Sequence, residues 1–303
     1  MRSTYPLISI LIPTYNRVNF FEIALQSALK QKYPNIEIII GDDSTNKETE
    51  ILIKEKYLGN HPNIKYIKNG TQLGQFQNNL MLFEHANGQF INFLMDDDVY
   101  HPEKLNKMIT VFESHPNLTL VTSYRKLINS EGVQINDQLF NTRLYEKNTI
   151  LRGKDMGNKM LLDCCNWIGE PTTPLFKKKD LTEPFGTLNR RPYNCCIDMA
   201  SWIHLLSKGD IAYIPEALSY FRIHPNQQQQ SFIKQAEGLE DLMYLVFDSE
   251  NYDFLTSKVD KKKALQTLFE HCFNYLLYHK KNYTIKQKLF FCLRTIQTNL
   301  ELL

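Results

Sequence analysis

Along the first third of the chain, short unbroken apolar runs alternate with stretches of helical spacing. Residues 7–12 are apolar apart from Ser9, and Pro13, Thr14, Tyr15 and Asn16 then end the run as a loop would. A run of this kind predicts a strand buried on both faces. Phe21, Ala24, Leu25, Ala28 and Leu29 follow at helical spacing. Their helix is expected to stop near Tyr33, because the residue before a proline is pushed out of helical geometry. Apolar runs return at residues 36–40, 64–67 and 90–95, with a second helical pattern through Phe76, Leu80 and Phe83. Repeated βαβ units and a parallel sheet are the economical solution.

Beyond the apolar residues 118–124 the pattern turns irregular. Residues 167–171 and 189–193 read as long functional loops, suited to facing an acceptor. Residues 225–231 form a polar tract with four consecutive glutamines, and from residue 232 the chain is helix-like and rich in Leu, Phe, Tyr and Lys. The predicted architecture is α/β: residues 1–230 as a sheet domain flanked by helices, and residues 231–303 as a helical appendage.

Composition narrows what such a chain can do. Its 303 residues and apolar fraction of 43% support one sizeable core and a smaller second unit. Lys and Arg number 35 against 33 Asp and Glu, a formal charge of +2, so the chain has no overall electrostatic footprint for nucleic acid. The six cysteines form no Cys-x-x-Cys pattern, and packing thiols in a reducing compartment are expected. Met1 to Pro6 lacks the design of a signal peptide, and no apolar stretch approaches the ~20 residues of a spanning helix. A cytoplasmic location follows as an expectation.

Charge changes the picture most at the strand ends. In open α/β folds, ligands bind beyond the carboxyl ends of the strands. Here those ends carry Asp42 and Asp43, and then Asp96, Asp97 and Asp98. Three consecutive carboxylates repel one another unless a cation sits among them, and Mg²⁺ or Mn²⁺ favours carboxylates together with phosphate oxygens. A solvated acidic turn is the plainer reading.

Pro13-Thr14-Tyr15-Asn16-Arg17, Asp42-Asp43-Ser44 and Asp96-Asp97-Asp98-Val99-Tyr100-His101-Pro102 resemble, in order and spacing, the motifs of family 2 glycosyltransferases. The resemblance spans roughly residues 7–225 and includes Ile197-Asp198-Met199-Ala200-Ser201-Trp202, similar to the family's catalytic-base segment. It implies a GT-A fold and an inverting, metal-dependent transfer from a nucleotide diphosphate sugar, UDP-linked by preference. Carried over by residue, Pro13 and Tyr15 line the base pocket, Asp43 accepts the base's ring N–H, and Asp96 contacts the ribose. Asp97 holds the metal, with Asp98 and His224 as further ligands, and Arg222 offsets charge on the leaving diphosphate. Asp198 is the base that takes the acceptor's proton. The family often writes its acidic segment Asp-x-Asp-Asp, and Met95 stands at the first of those positions.

Plainer readings stand beside these. Asp198 could be a helix-start residue, His224 a strand cap, Trp167 a core side chain rather than a sugar platform, and Arg190 or Arg191 a solvated charge. The implied partners are a nucleotide-sugar donor and a glycan, glycolipid or glycoprotein acceptor. The C-terminal helices are expected to pack as a bundle, with self-association or contact with the inner face of a membrane as the alternative. A sugar-phosphate nucleotidyltransferase would carry a glycine-rich loop after the first strand, and residues 13–17 contain no glycine. A non-catalytic nucleotide-sugar-binding or scaffold subunit is the third reading.

Overall fold

The structure, a computed structural model, describes residues 5–225, 227, 231–279 and 282–303. Asn226, three of the four glutamines and the Lys280-Lys281 pair lie outside the described residues.

In chain order the elements begin β1 (Ile8–Thr14), α1 (Val18–Leu29), β2 (Ile36–Asp42), α2 (Glu48–Leu52), β3 (Ile64–Lys68), α3 (Gln75–His85) and β4 (Phe90–Phe93). Next come β5 (Val99–Tyr100), α4 (Lys104–Ser114), β6 (Leu118–Ile128), β7 (Gln134–Ile135), β8 (Thr149–Leu151), α5 (Gly153–Asp163) and β9 (Leu175–Lys177). The chain continues with β10 (Thr187–Leu188), β11 (Arg191–Pro192), α6 (Ile197–Lys208), β12 (Asp210–Arg222), α7 (Phe232–Asp248), α8 (Lys258–Tyr278) and α9 (Tyr283–Leu302).

These elements fall into two compact units that are discontinuous in sequence. The first comprises Met1–Leu151, Ile168–Phe185 and Gly209–Ile223; the second comprises Arg152–Trp167, Gly186–Lys208 and His224–Leu303. The second unit therefore takes in two stretches, α5 and the segment from β10 to α6, that lie before the boundary expected at residue 230.

One mixed sheet, ordered β3-β2-β1-β4-β9-β6-β12-β5, forms the first unit's frame. β1 pairs in parallel with β2 and β4, β2 with β3, and β6 with β12. The three-residue β9 runs antiparallel between β4 and β6. All seven residues of β1 are buried, as a central strand covered on both faces requires. Ile8, Ile10, Ile12, Phe21, Leu25, Ile38, Ile40 and Leu105 belong to one continuous core. Each methylene so removed from water contributes on the order of 0.8 kcal/mol.

α1 ends at Leu29, earlier than the proline-based expectation: the Lys30 N–H makes the last i→i−4 bond, to Gln26, and the Gln31 N–H tightens to the Ala28 carbonyl three residues back. β4 likewise stops at Phe93: the Asp98 N–H closes a turn on the Met95 carbonyl, 3.1 Å. Residues 189–193, read from sequence as a long loop, are a tight hairpin instead. Asn189 (φ 52°) and Arg190 (φ 62°) form its two-residue turn, both in the left-handed region that such hairpins demand.

In the second unit, α5, α6 and the helices beyond residue 231 pack together around Trp202, Phe254, Leu265, Leu268, Leu289 and Ile296, all fully buried. Gly157 on α5 is required by a close approach: a Cβ there would lie 2.2 Å from the Phe254 ring. None of the six cysteines forms a disulfide, and burial pushes Cys164 and Cys195 up to about 12. Among the described residues no helix is long and apolar enough to cross a membrane.

Candidate functional site

The loops after β1 and β2 are pinned to each other before any ligand is considered. Asn16 sits at φ 52°, a conformation that Asn tolerates better than most residues. Its N–H donates to the Ser44 hydroxyl at 2.8 Å, and its side-chain carbonyl accepts from the Thr45 N–H at 3.0 Å. This holds buried Pro13 at the end of β1 and leaves Tyr15 43% exposed just beyond it, where a planar ligand could stack on its ring. Asp43 is 6% exposed and gathers a third loop: it accepts from the N–H groups of Leu73 (2.7 Å) and Gly74 (2.8 Å) and from the Asn69 amide (3.0 Å). Its neighbour Asp42 is fully buried, accepting from Tyr66 (2.6 Å) and pairing with Lys68, so it serves the fold.

The acidic run after β4 divides into two environments. Asp96 and Asp97 share the Arg17 guanidinium, at 3.2 Å and 3.0 Å, and Asp96 also accepts from the Tyr15 N–H at 3.2 Å. Burial, and then the charge of Asp97, push Asp96 up to about 6, with Arg17 pulling the other way. Asp98, 1% exposed, faces inward: one oxygen accepts from the Thr172 hydroxyl at 2.5 Å and the other from the Arg222 N–H at 3.0 Å. Burial raises its carboxyl well above the usual range.

Arg222, named from sequence as a diphosphate contact, is 2% exposed at the end of β12. Its Nε donates to the Asp97 carbonyl (2.7 Å), its Nη1 to the carbonyls of Asn129 (2.9 Å) and Ser130 (3.1 Å), and its guanidinium lies 4.8 Å from the Phe20 ring centroid. It thereby ties the acidic loop to the end of β6. Arg17 is the residue that sequence reasoning missed. It stood inside a quoted motif, but no spacing rule says that a side chain one turn beyond β1 reaches the end of β4.

The acceptor-facing loop expected at residues 167–171 continues into a segment that is locked to the same strand end. Asn92 on β4 donates to the carbonyls of Thr172 (3.2 Å) and Pro174 (2.8 Å), and Glu170 pairs with Arg125 at 2.5 Å. The ammonium of fully buried Lys104 donates to the Thr173 carbonyl, and burial holds that lysine well below its ordinary range.

Among the described residues no three His, Cys, Asp or Glu side chains converge into a ready-made metal cage. Mg²⁺ and Mn²⁺ sites that handle phosphates need none, since one or two carboxylates suffice and substrate oxygens and water complete the shell. The Asp96–Asp97 pair, already gathered around a cationic group, fits that requirement.

In the second unit, Asp198 opens α6 and is half-buried. One oxygen accepts from the Met199 N–H and the other from the Asn166 amide, both at 2.8 Å. The segment leading to it is clamped by α7. A single oxygen of Asp241 accepts from the N–H groups of Asn194 (3.0 Å), Cys195 (2.7 Å) and Cys196 (3.0 Å). Two helical turns on, Asp248 accepts from Tyr193 (2.9 Å) and Arg191 (2.7 Å). Trp167 is half-buried, its N–H donating to Asp163 at 2.8 Å and its ring 4.8 Å below the Lys159 ammonium. His224 is 5% exposed, its N–H donating to Gln227 at 3.3 Å.

A sheet whose long strands pair in parallel, with the short strands β5, β7, β8 and β9 antiparallel to them and Asp43, Asp96 and Asp97 at the strands' carboxyl ends, has the architecture of a GT-A fold. Residues 1–349 of S. aureus TarS in complex with UDP-GlcNAc share it, with a TM-score of 0.69 over 95% of this chain and 80% of that one at 17% identity. The mannosyltransferase PcManGT from Pyrobaculum calidifontis, in complex with GDP-Man and Mn²⁺, gives 0.55 over 96% and 86% at 13% identity. This chain spans 43% of a longer TarS chain. In sequence, an uncharacterized glycosyltransferase of Haemophilus influenzae is 28% identical over 224 residues, 73% of this chain and 67% of that protein. Residues 9–170, more than half of the chain, match the sequence model of glycosyl transferase family 2. The chain belongs to that family.

Proposed function

We propose that this chain is an inverting, metal-dependent glycosyltransferase that moves a sugar from a UDP-sugar to a glycan, glycolipid or glycoprotein acceptor. The observation that carries the reading is the Asp96–Asp97 pair at the end of β4, gathered around Arg17 beside Tyr15. A purely structural loop has little reason to keep two such carboxylates together at the end of a buried strand. The neighbours solved with UDP-GlcNAc and with GDP-Man support a nucleotide-sugar donor, and the Mn²⁺ of the second supports a divalent ion.

In this reading the uracil stacks by Tyr15 over Pro13 and donates its ring N–H to Asp43 Oδ2, which among the described residues accepts only from Gly74 while Oδ1 already accepts from Asn69 and Leu73. Asp96 receives a ribose hydroxyl. Asp97 is the carboxylate for Mn²⁺ or Mg²⁺, which, when bound with the diphosphate oxygens, offsets the charge that builds on the leaving group. Asp98 and Arg222 hold that loop in shape. Asp198 is the proposed base, taking the proton of the attacking acceptor hydroxyl, and the Asn166 and Met199 donors keep its carboxylate oriented. His224 remains a proposed further ligand.

The test is hydrolysis of a panel of UDP-, GDP- and dTDP-sugars with and without Mn²⁺. One donor should be hydrolysed in a metal-dependent way, Asp97→Ala should lose donor binding and turnover together, and Asp198→Asn should keep donor binding. Metal-dependent donor binding without any turnover would instead favour a non-catalytic nucleotide-sugar-binding subunit, and no binding of any donor would sink both readings.

A further inference from the structure

The first unit holds a cavity that the proposed chemistry does not use. Its volume is about 570 Å³, within the range of small-molecule sites, and its walls are Phe83 near the end of α3, residues 87–90 leading into β4, and Lys177, Lys178, Lys179 and Leu181 at and beyond the end of β9. β4 runs from this cavity toward Asp96 and Asp97, so the two places lie at opposite ends of one strand. The walls are built by the fold. The Gln89 N–H donates to the Leu7 carbonyl (2.9 Å), the Gly88 N–H to the Ser9 hydroxyl (2.8 Å) and the Lys178 N–H to the Gln89 carbonyl (3.0 Å). Gly88 lies so close to β1 that a Cβ there would meet the Ser9 nitrogen at 2.5 Å, and the Phe83 ring stacks on that of Phe176.

Charge identifies the ligand class. The Lys178 ammonium donates to the Ala86 carbonyl at the end of α3 (2.5 Å) and lies 5.3 Å from the Phe83 ring centroid, while Lys177 donates to the Pro116 carbonyl (2.6 Å). Capping those carbonyls uses one N–H of each ammonium and leaves two. Lys179 is exposed, and among the described residues none of the three lysines forms an ion pair. Asp180 is the single acid of residues 177–181, which carry a formal charge of three minus one, +2. Glu37, also at this edge, is engaged by Asn87, whose N–H and amide donate to it at 2.6 Å and 3.1 Å. Burial, opposed by Asp180, holds Lys177 below its ordinary range, the condition of a cation short of anionic partners. A phosphate, with three acceptor oxygens and about two charges, answers three ammonium groups more fully than a carboxylate does, and the Phe83 and Leu181 side chains suit an apolar body beside it.

We infer that this cavity is a second binding site, for a phosphate monoester with an apolar body. Nothing in it depends on the donor chemistry. Isothermal titration calorimetry of the full chain with phenyl phosphate and octyl phosphate should show binding at about 0.1–1 mM that weakens as salt is raised, with inorganic phosphate and uncharged octyl glucoside each at least about tenfold weaker. The tighter of the two esters names the body, ring or chain. Lys179→Glu, which breaks no bond of the fold, should weaken both esters at least about tenfold with an unchanged circular dichroism spectrum. Lys178→Gln, which keeps a donor for the Ala86 carbonyl, should weaken them independently, and Asp97→Ala at the other end of β4 should leave both affinities unchanged. No binding up to about 10 mM, inorganic phosphate binding as tightly as either ester, affinity untouched by both lysine variants, or loss of ester binding in Asp97→Ala would each overturn the proposal.

Discussion

Arg222 separates two accounts of one residue. The family resemblance assigns its charge to a leaving diphosphate, whereas the structure uses its guanidinium to join the Asp97 carbonyl to those of Asn129 and Ser130. Arg222→Lys keeps the charge but offers a single ammonium where three directed N–H groups stood. An ammonium can satisfy one of the three carbonyls, leaving two buried acceptors without their donor. At roughly 1–3 kcal/mol for each orphaned group, part of it recovered by water at the loop, the substitution costs about 2–4 kcal/mol. Arg222→Ala costs about 3–5 kcal/mol, as for other buried charged groups removed from their partners. With a urea dependence of about 2–3 kcal/mol per molar, the Arg222→Lys midpoint moves down by roughly 1 M, measured by far-ultraviolet circular dichroism without donor or metal. A midpoint within about 0.2 M of the native one, joined to loss of donor hydrolysis, would refute the structural account and return Arg222 to the diphosphate.

Three further outcomes follow from the same geometry. Asp96 titrates at about 6 in the folded chain and near the ordinary ~3.9 when unfolded, so between those values only the folded state holds the proton. Metal-free stability therefore falls by about 2–3 kcal/mol as pH rises from about 4 through about 6; Asp96→Asn should lack this loss in parallel urea titrations, and Mn²⁺ should offset it above that range. Asp241→Ala removes the shared acceptor of three N–H groups ahead of α6, at a cost of about 2–3 kcal/mol, and amide exchange at Asn194, Cys195 and Cys196 should accelerate at least about tenfold; unchanged protection there would show that the clamp carries no weight. Arg190→Gly relieves a left-handed backbone at the hairpin turn and should raise stability by about 0.5–1 kcal/mol, with a drop in thermal midpoint counting against the turn assignment.

The strands that carry the acidic residues were legible because each is a short, continuous run of β-branched and aromatic residues with its charges placed just past the end. β9 was not legible: three residues, Leu175, Phe176 and Lys177, carry no period, and their antiparallel seat between β4 and β6 is fixed only by partners more than 40 residues away. The hairpin at 187–192 was hidden because Asn-Arg is a poor match to the glycine-containing dipeptides that usually announce such turns. Nor does composition reveal that residues 186–208 belong with the tail. That membership rests on the packing of α6 against α5 and on the long-range bonds of Asp241 and Asp248 to residues 191–196, whose acceptors lie in a helix that reads as an ordinary amphipathic segment.

In the sequence, the three aspartates after β4 are interchangeable letters; in the fold they are not. Once β4 ends at Phe93 and the Asp98 N–H turns back on Met95, successive side chains leave the turn in different directions. Asp96 and Asp97 reach the Arg17 guanidinium, while Asp98 is carried inward to Thr172 and the Arg222 backbone. A carboxylate whose two oxygens already accept from buried donors gains little by binding a cation and would release those donors unpaired if it did. Asp96 keeps one oxygen on the Tyr15 N–H, but the Arg17 side chain that Asp96 and Asp97 share is 27% exposed and can swing aside when a divalent ion and a diphosphate arrive. Repulsion among three like charges, which made the run conspicuous in sequence, is thus resolved by separating one aspartate from the other two, and the position of Met95 matters less than the turn it closes.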